Sequence, residues 1–155
     1  MLDNPYLLRS IKRMKISTRG RYGLRIMLDL ARNDGEKPRM ISDIYKSQGL
    51  SQKYVGRLII ELRKAGMIAS VRGAKGGYKI KRLPKHITLL EIIETMEGHV
   101  SIVDCVMCPK KCKKSGACTA REVWSELNEK IRREFEAITL QDILNRYDSV
   151  ADYCI

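Results

Sequence analysis

Four cysteines fall within fourteen residues of the stretch DCVMCPKKCKKSGACTA: Cys105, Cys108, Cys112 and Cys118. Thiolates bind zinc and iron–sulfur clusters well, and four in one short loop can reach a common centre without help from the rest of the fold. Cysteines of an ordinary core recur at helix or strand period, and gaps of two, three and five residues do not. Those gaps match neither the paired CxxC of a zinc ribbon nor the ferredoxin run, so on spacing alone zinc and iron–sulfur stand level. Lys110, Lys111, Lys113 and Lys114 surround the thiols. Positive neighbours favour the thiolate and partly offset a cluster's negative charge, although the same lysines also suit a solvated loop. Cys154 stands apart and reads as a lone thiol rather than a fifth ligand.

Other chemistries lack their parts. With His86 and His99 the only histidines, no nucleophile, base and orienting group come together, so no enzyme is expected. The Cys105–Cys108 pair would serve thiol redox catalysis only where it opens a helix on a thioredoxin-like sheet, and no such sheet is legible. Gly73, Gly76 and Gly77 lie between two strand-like runs, with no Gly-Lys-Ser/Thr after them, which excludes a phosphate-cradling loop. No run approaches the roughly 18 to 20 apolar residues of a membrane span, and MLDNPYLLRSIKR lacks the apolar core of a signal peptide. A cytoplasmic protein without membrane attachment is expected. There thiols stay reduced, and clustered cysteines are ligands or redox groups rather than disulfides.

The 155 residues, 44% hydrophobic and 31% charged, suffice for one buried core with a helical appendage. The net charge of +12 is unevenly spread. Residues 15 to 85 carry 18 Lys or Arg against 5 Asp or Glu, whereas residues 86 to 155 carry 9 against 12. A basic half joined to a mildly acidic one suggests a nucleic-acid-binding module attached to something else.

The elements that must position these groups follow from the apolar spacing. Leu24, Met27, Leu28 and Ala31 share one helical face after a cap at Ser17 or Thr18, and Ser42 is placed to cap a short second helix. After a break at Gly49, Ser51 caps a third helix with Val55, Leu58, Ile59 and Leu62 inward and Gln52, Lys53, Arg57 and Lys64 outward. Two short helices in tight succession, the second basic outside, form a helix-turn-helix. The run MIASVRGAKGGYKIKR adds a β-hairpin, a wing with a basic tip. Thr88 and Glu91 form a capping box for a helix that Gly98 stops. Residues 119 to 137 form a long helix with a stripe of Trp124, Leu127, Ile131 and Phe135, a natural dimerisation element, and Thr139 caps a last helix that closes over the first.

The expected architecture is mainly α with a small β-hairpin: an extension at 1–13, a winged helix-turn-helix at 14–85, and a cysteine-loop sensor and dimerisation region at 86–155. Lys53, Tyr54 and Arg57 would address the major groove of double-stranded DNA, with Ser51 and Gln52 also DNA-binding at the start of that helix, and Arg72 and Lys75 of the wing would reach the minor groove.

The segments MKISTRGRYGLRIMLDLA, LSQKYVGRLIIELRKAGMI, VRGAKGGYKI and TLQDIL, within Met14 to Tyr147, resemble the Rrf-two superfamily of bacterial winged-helix regulators. The resemblance implies a homodimeric transcription regulator, with repression as the expected mode. By pattern the chain is similar to the family's iron–sulfur cluster regulator, which holds its cluster through three cysteines and a histidine. Cys108, Cys112 and Cys118 match the three cysteines, with the gap before Cys112 shorter by two, and the histidine position is Arg121. Arginine does not ligate iron. Cys105 is then the expected fourth ligand, ahead of Asp104, His99 or a partner subunit, and both [2Fe–2S] and [4Fe–4S] centres are compatible. A glutamate that shapes DNA choice in that relative is Gly56 here, and close approach to DNA is a reason for a glycine in mid-helix. Met14 is a candidate natural start.

Overall fold

The computed structural model describes residues 16–35 and 37–151, so the extension at 1–13, Met14 and Cys154 lie outside the described residues. In chain order the elements are α1 (Thr18–Arg32), α2 (Ile41–Gln48), α3 (Gln52–Lys64), β1 (Ile68–Val71), β2 (Gly77–Ile80), α4 (Leu89–Glu97), a short α5 (Asp104–Met107), α6 (Thr119–Ala137) and α7 (Leu140–Ala151). The fold is mainly helical with one two-stranded hairpin, as the sequence predicts.

Ser17 caps α1, its hydroxyl accepting from the amides of Arg19 at 3.1 Å and Gly20 at 3.4 Å, which satisfies donors the first turn cannot pair internally. The buried face is turned from the predicted one. Gly23, Ile26, Met27, Leu30 and Ala31 are buried, while Leu24 and Leu28 sit half-buried at its edge. Gly23 makes the difference, because α4 packs where its side chain would be: a Cβ there would lie 2.5 Å from Met96 Cγ.

The start of α2 is a second correction. The helix begins at Ile41 with Met40 at the cap position and no side-chain cap bond, and Ser42 lies inside it, its hydroxyl 3.4 Å from Asp43 Oδ1. Asp29 of α1 secures α2 instead. Its carboxylate accepts from Arg39 at 3.0 Å and from Ser47 Oγ at 2.7 Å, so one side chain grips both flanks of the helix. Arg39 in turn exchanges two backbone hydrogen bonds with Tyr78 on β2, at 2.9 and 2.8 Å.

Gly49, at φ 64°, ends α2, and Ser51 opens α3 by accepting from the Tyr54 amide at 3.3 Å. Val55, Leu58, Ile59 and Leu62 are all buried, as their spacing predicts. β1 and β2 pair antiparallel from Ile68 opposite Ile80 to Val71 opposite Gly77, with both isoleucines in the core and Lys79 in solvent.

Thr88 and Glu91 form the predicted capping box of α4, and Glu91 also accepts from Arg82 at 2.8 Å. The start of α7 lies beside that of α4: Leu89 N–H donates to the Ile138 carbonyl and Leu140 N–H to that of Ile87, both at 2.8 Å. Thr139 caps α7 through the Asp142 amide at 3.2 Å. Leu140 and Leu144 share one core with Ile26, Leu58 and Ile92, so α7 closes against the helix-turn-helix side of the molecule.

Candidate functional site

The outer side of α3 is fixed by the burial of its inner side. Gln52, Lys53 and Arg57 are exposed, and Ser51 is exposed while its hydroxyl serves the cap. Tyr54 is half-buried and meets Tyr22 of α1 edge-on, with ring centroids 6.2 Å apart, and Arg25 lies 5.2 Å over the Tyr22 ring. This aromatic contact ties the start of α3 to α1. At Gly56 an added Cβ would meet only Ile41 Cδ1, at 3.9 Å, an ordinary contact. Packing therefore gives no reason for a glycine there.

Arg72 and Lys75 are exposed at the tip of the hairpin, where Gly73 turns the chain at φ 114° and accepts from the Gly76 amide at 2.9 Å. The root of the wing is tight. A Cβ at Gly77 would stand 2.3 Å from the Arg39 carbonyl oxygen, so the two backbones approach as only glycine allows. The exposed cations of α3 and of the wing thus stand on one braced frame, suited to phosphates and groove edges.

The cysteine loop is built from α5 and two 3₁₀ turns, Pro109–Lys111 and Ser115–Ala117. Cys105, Cys112 and Cys118 are half-buried, Cys108 is exposed, and all are free thiols. Among the described residues no three of His, Cys, Asp and Glu converge on a point that would hold a metal ion. The donor chemistry fits a thiolate-held centre, and gathering the four sulfurs on one centre requires the loop to rearrange. His99 lies 3.4 Å from Glu94 and is largely exposed, and His86 is exposed in a turn before α4.

The sequence reading passed over a polar face of α6. Arg121, Asn128 and Arg132 recur at seven and four residues and so line one side of the helix. Arg121 donates from Nε to the Cys105 carbonyl at 3.1 Å and from Nη1 to the Ser115 carbonyl at 3.3 Å. Asn128, 1% exposed, accepts from the Ile102 amide at 3.1 Å. Arg132 pairs with Glu94 of α4, whose Oε1 also takes the Val100 amide at 3.1 Å. Burial pushes the Glu94 carboxyl up, but the hydrogen bonds from Arg132 and Val100 prevail and hold it below the ordinary value. Polar residues at helical spacing read as solvent-facing, and the only signal against that was the choice of Asn128 among charged neighbours.

The apolar stripe runs beside this polar face. Val123, Trp124 and Leu127 are 52%, 42% and 40% exposed. Ile131 and Phe135 are half-buried and, with Ile93 and Val100, line a cleft of about 660 Å³. Among the described residues no helix is long and apolar enough to cross a membrane.

A family model described as an iron-dependent transcriptional regulator, Rrf2, matches residues 16–146. The HTH-type transcriptional regulator CymR of Bacillus subtilis is 37% identical over 135 residues, covering 87% of this chain and 93% of its own. The solved structure of B. subtilis CymR, titled the global cysteine regulator, superposes with a TM-score of 0.72 at 35% identity, covering 86% of this chain and 98% of that one. The solved structure of T. potens IscR gives 0.72 at 36% identity, covering 88% and 90%. These are regulators, not enzymes. The chain belongs to the Rrf2 family of winged-helix transcriptional regulators.

Proposed function

We propose that the chain is a homodimeric regulator that grips DNA through α3 and the wing and senses iron–sulfur status, redox state or nitric oxide through a cluster on the cysteine loop. The carrying observation is the set of four free thiols between α4 and α6 in a loop joined by hydrogen bonds to α6. Cys105, Cys108, Cys112 and Cys118 would hold the cluster, and its bound form would supply a redox-active, thiolate-sensitive group. Lys53, Tyr54 and Arg57 would lie in the major groove, with Gln52 and the Ser51 end of α3 beside the backbone. Arg72 and Lys75 would enter the minor groove. The partly exposed stripe of Trp124 and Leu127 supports pairing of α6 with a second copy.

Reordering the loop would shift α6 through Arg121 and Asn128, and α6 would pass that shift to α4 through Arg132 and Glu94. A coupling of about 1 to 3 kcal/mol, or 5- to 150-fold in DNA affinity, is enough for a switch. Anaerobic purification tests the cluster: a brown protein with iron and acid-labile sulfide is expected, and a colourless one with stoichiometric zinc sinks the iron–sulfur reading. DNA affinity should fall with salt at a slope of about 0.9 per phosphate contacted.

A second reading is a thiol-responsive regulator of the same fold without a cluster, or one with structural zinc. Likeness to the solved structure of the B. subtilis global cysteine regulator favours it. Metal-free protein whose DNA affinity changes on mild oxidation would establish the cluster-free form.

A further inference from the structure

We infer that Arg121 is the positioning residue of the thiol loop, holding the backbone of Cys105 against the segments that carry Cys112 and Cys118. The inference rests on the thiol-sensing reading and names the side chain that holds together the backbone segments carrying the four thiols.

Cys105 and Cys118 are the outer members of the set, thirteen residues apart along the chain. A run of that length can extend to about 45 Å, so proximity of its ends must be enforced. Arg121 enforces it at three points. Its own amide donates to the Cys118 carbonyl at 3.0 Å, fixing it in the first turn of α6. Its guanidinium reaches the Cys105 carbonyl at 3.1 Å and the Ser115 carbonyl at 3.3 Å.

Each of those contacts brings a further cysteine with it. The Ser115 amide donates to the Cys112 carbonyl at 3.1 Å, and the Cys108 amide closes α5 on Asp104 at 2.8 Å, directly beside Cys105. One side chain therefore ties together the three short pieces on which all four thiols stand.

The choice of arginine follows from this geometry. Nε–H and Nη1–H leave a rigid planar fork in fixed directions, whereas lysine offers one ammonium on a flexible stem and cannot hold two separate carbonyls in the same way. The fork takes backbone oxygens and leaves the sulfurs free.

The test uses the full-length, reduced, metal-free protein and iodoacetamide, with the alkylation rate of each cysteine read by mass spectrometry. Arg121→Ala should raise the Cys105 rate about five-fold and change that of the already exposed Cys108 less than about two-fold. Arg121→Lys keeps the cation and should share the Cys105 effect while melting at the wild-type temperature. An unchanged Cys105 rate in either variant, or all four rates rising together, overturns the clamp. Because metal is absent from this measurement, a clamp effect in a wild type that takes up no cluster would overturn the cluster reading alone.

Discussion

α3 buries Val55, Leu58, Ile59 and Leu62 along its inner side, whereas neither α5 nor the Ser115–Ala117 turn buries a residue. The first is fixed by apolar packing, with aromatic contact and cap added. The second is joined to α6 by hydrogen bonds from Arg121. Packing of that kind resists change until it fails as a unit, while a segment held by a few polar contacts opens at small cost. In the function proposed here, the contrast divides the labour between a part that must present the same face to DNA each time and a part that must yield to its stimulus.

Cys112→Ala sharpens this contrast most. It should abolish the visible chromophore that the proposed cluster gives anaerobically purified protein and leave the far-ultraviolet circular dichroism at the wild-type level, since the loop bears little of the core. A parallel loss of helicity would mean that the two regions are not separate. Next in size is Asp29→Ala, which removes the carboxylate shared by Arg39 and Ser47; denaturant unfolding should show a loss on the order of 2 kcal/mol. An effect near zero would show that apolar packing alone holds α2.

Gly56→Ala acts in the opposite direction on the DNA side. With only an ordinary contact, Ile41 Cδ1 at 3.9 Å, facing the new methyl group, stability should rise by about 1 kcal/mol through helix propensity. DNA affinity measured by fluorescence anisotropy should fall if the glycine admits close approach; unchanged affinity would remove that reason for it.

The smallest effect concerns pH. Glu94 is held below its ordinary value in the folded chain, so the folded state binds its proton less readily than the unfolded one. Its contribution is therefore complete above about pH 5 and fades as the pH falls through the lowered value. Thermal melts from pH 6 to pH 3 should show a Glu94→Gln variant losing less stability than wild type on acidification. Equal losses would mean that the Arg132 pair contributes nothing.

The helix-turn-helix was legible because apolar side chains at three- and four-residue spacing report directly on a core, and the capping box and the wing glycines have local chemistry of their own. The rotation of α1 was not, since Gly23 is buried without a side chain to announce it. Ser42 misled because a good capping residue one position too late still looks like a cap, while the contact that decides the start of α2 comes from Asp29, far away in sequence. The cysteine spacing exposed the thiols but not their restraint. A hydrogen bond from Arg121 to a main-chain carbonyl leaves no residue-specific trace on the accepting side, and so the partner of Cys105 could be found only in three dimensions.

The grip of Asp29 on both flanks of α2 has a consequence for how a signal can reach DNA. With α2 fastened to α1 at each end, and Arg39 joined to the wing by two backbone bonds, the reading head has little freedom to deform internally. In the dimer proposed here, a stimulus at the cysteine loop would then act as a change of gauge: two stiff heads moved nearer or farther apart against DNA whose successive major grooves on one side recur about every 34 Å. The operator would be selected by the separation of its half-sites as much as by their bases.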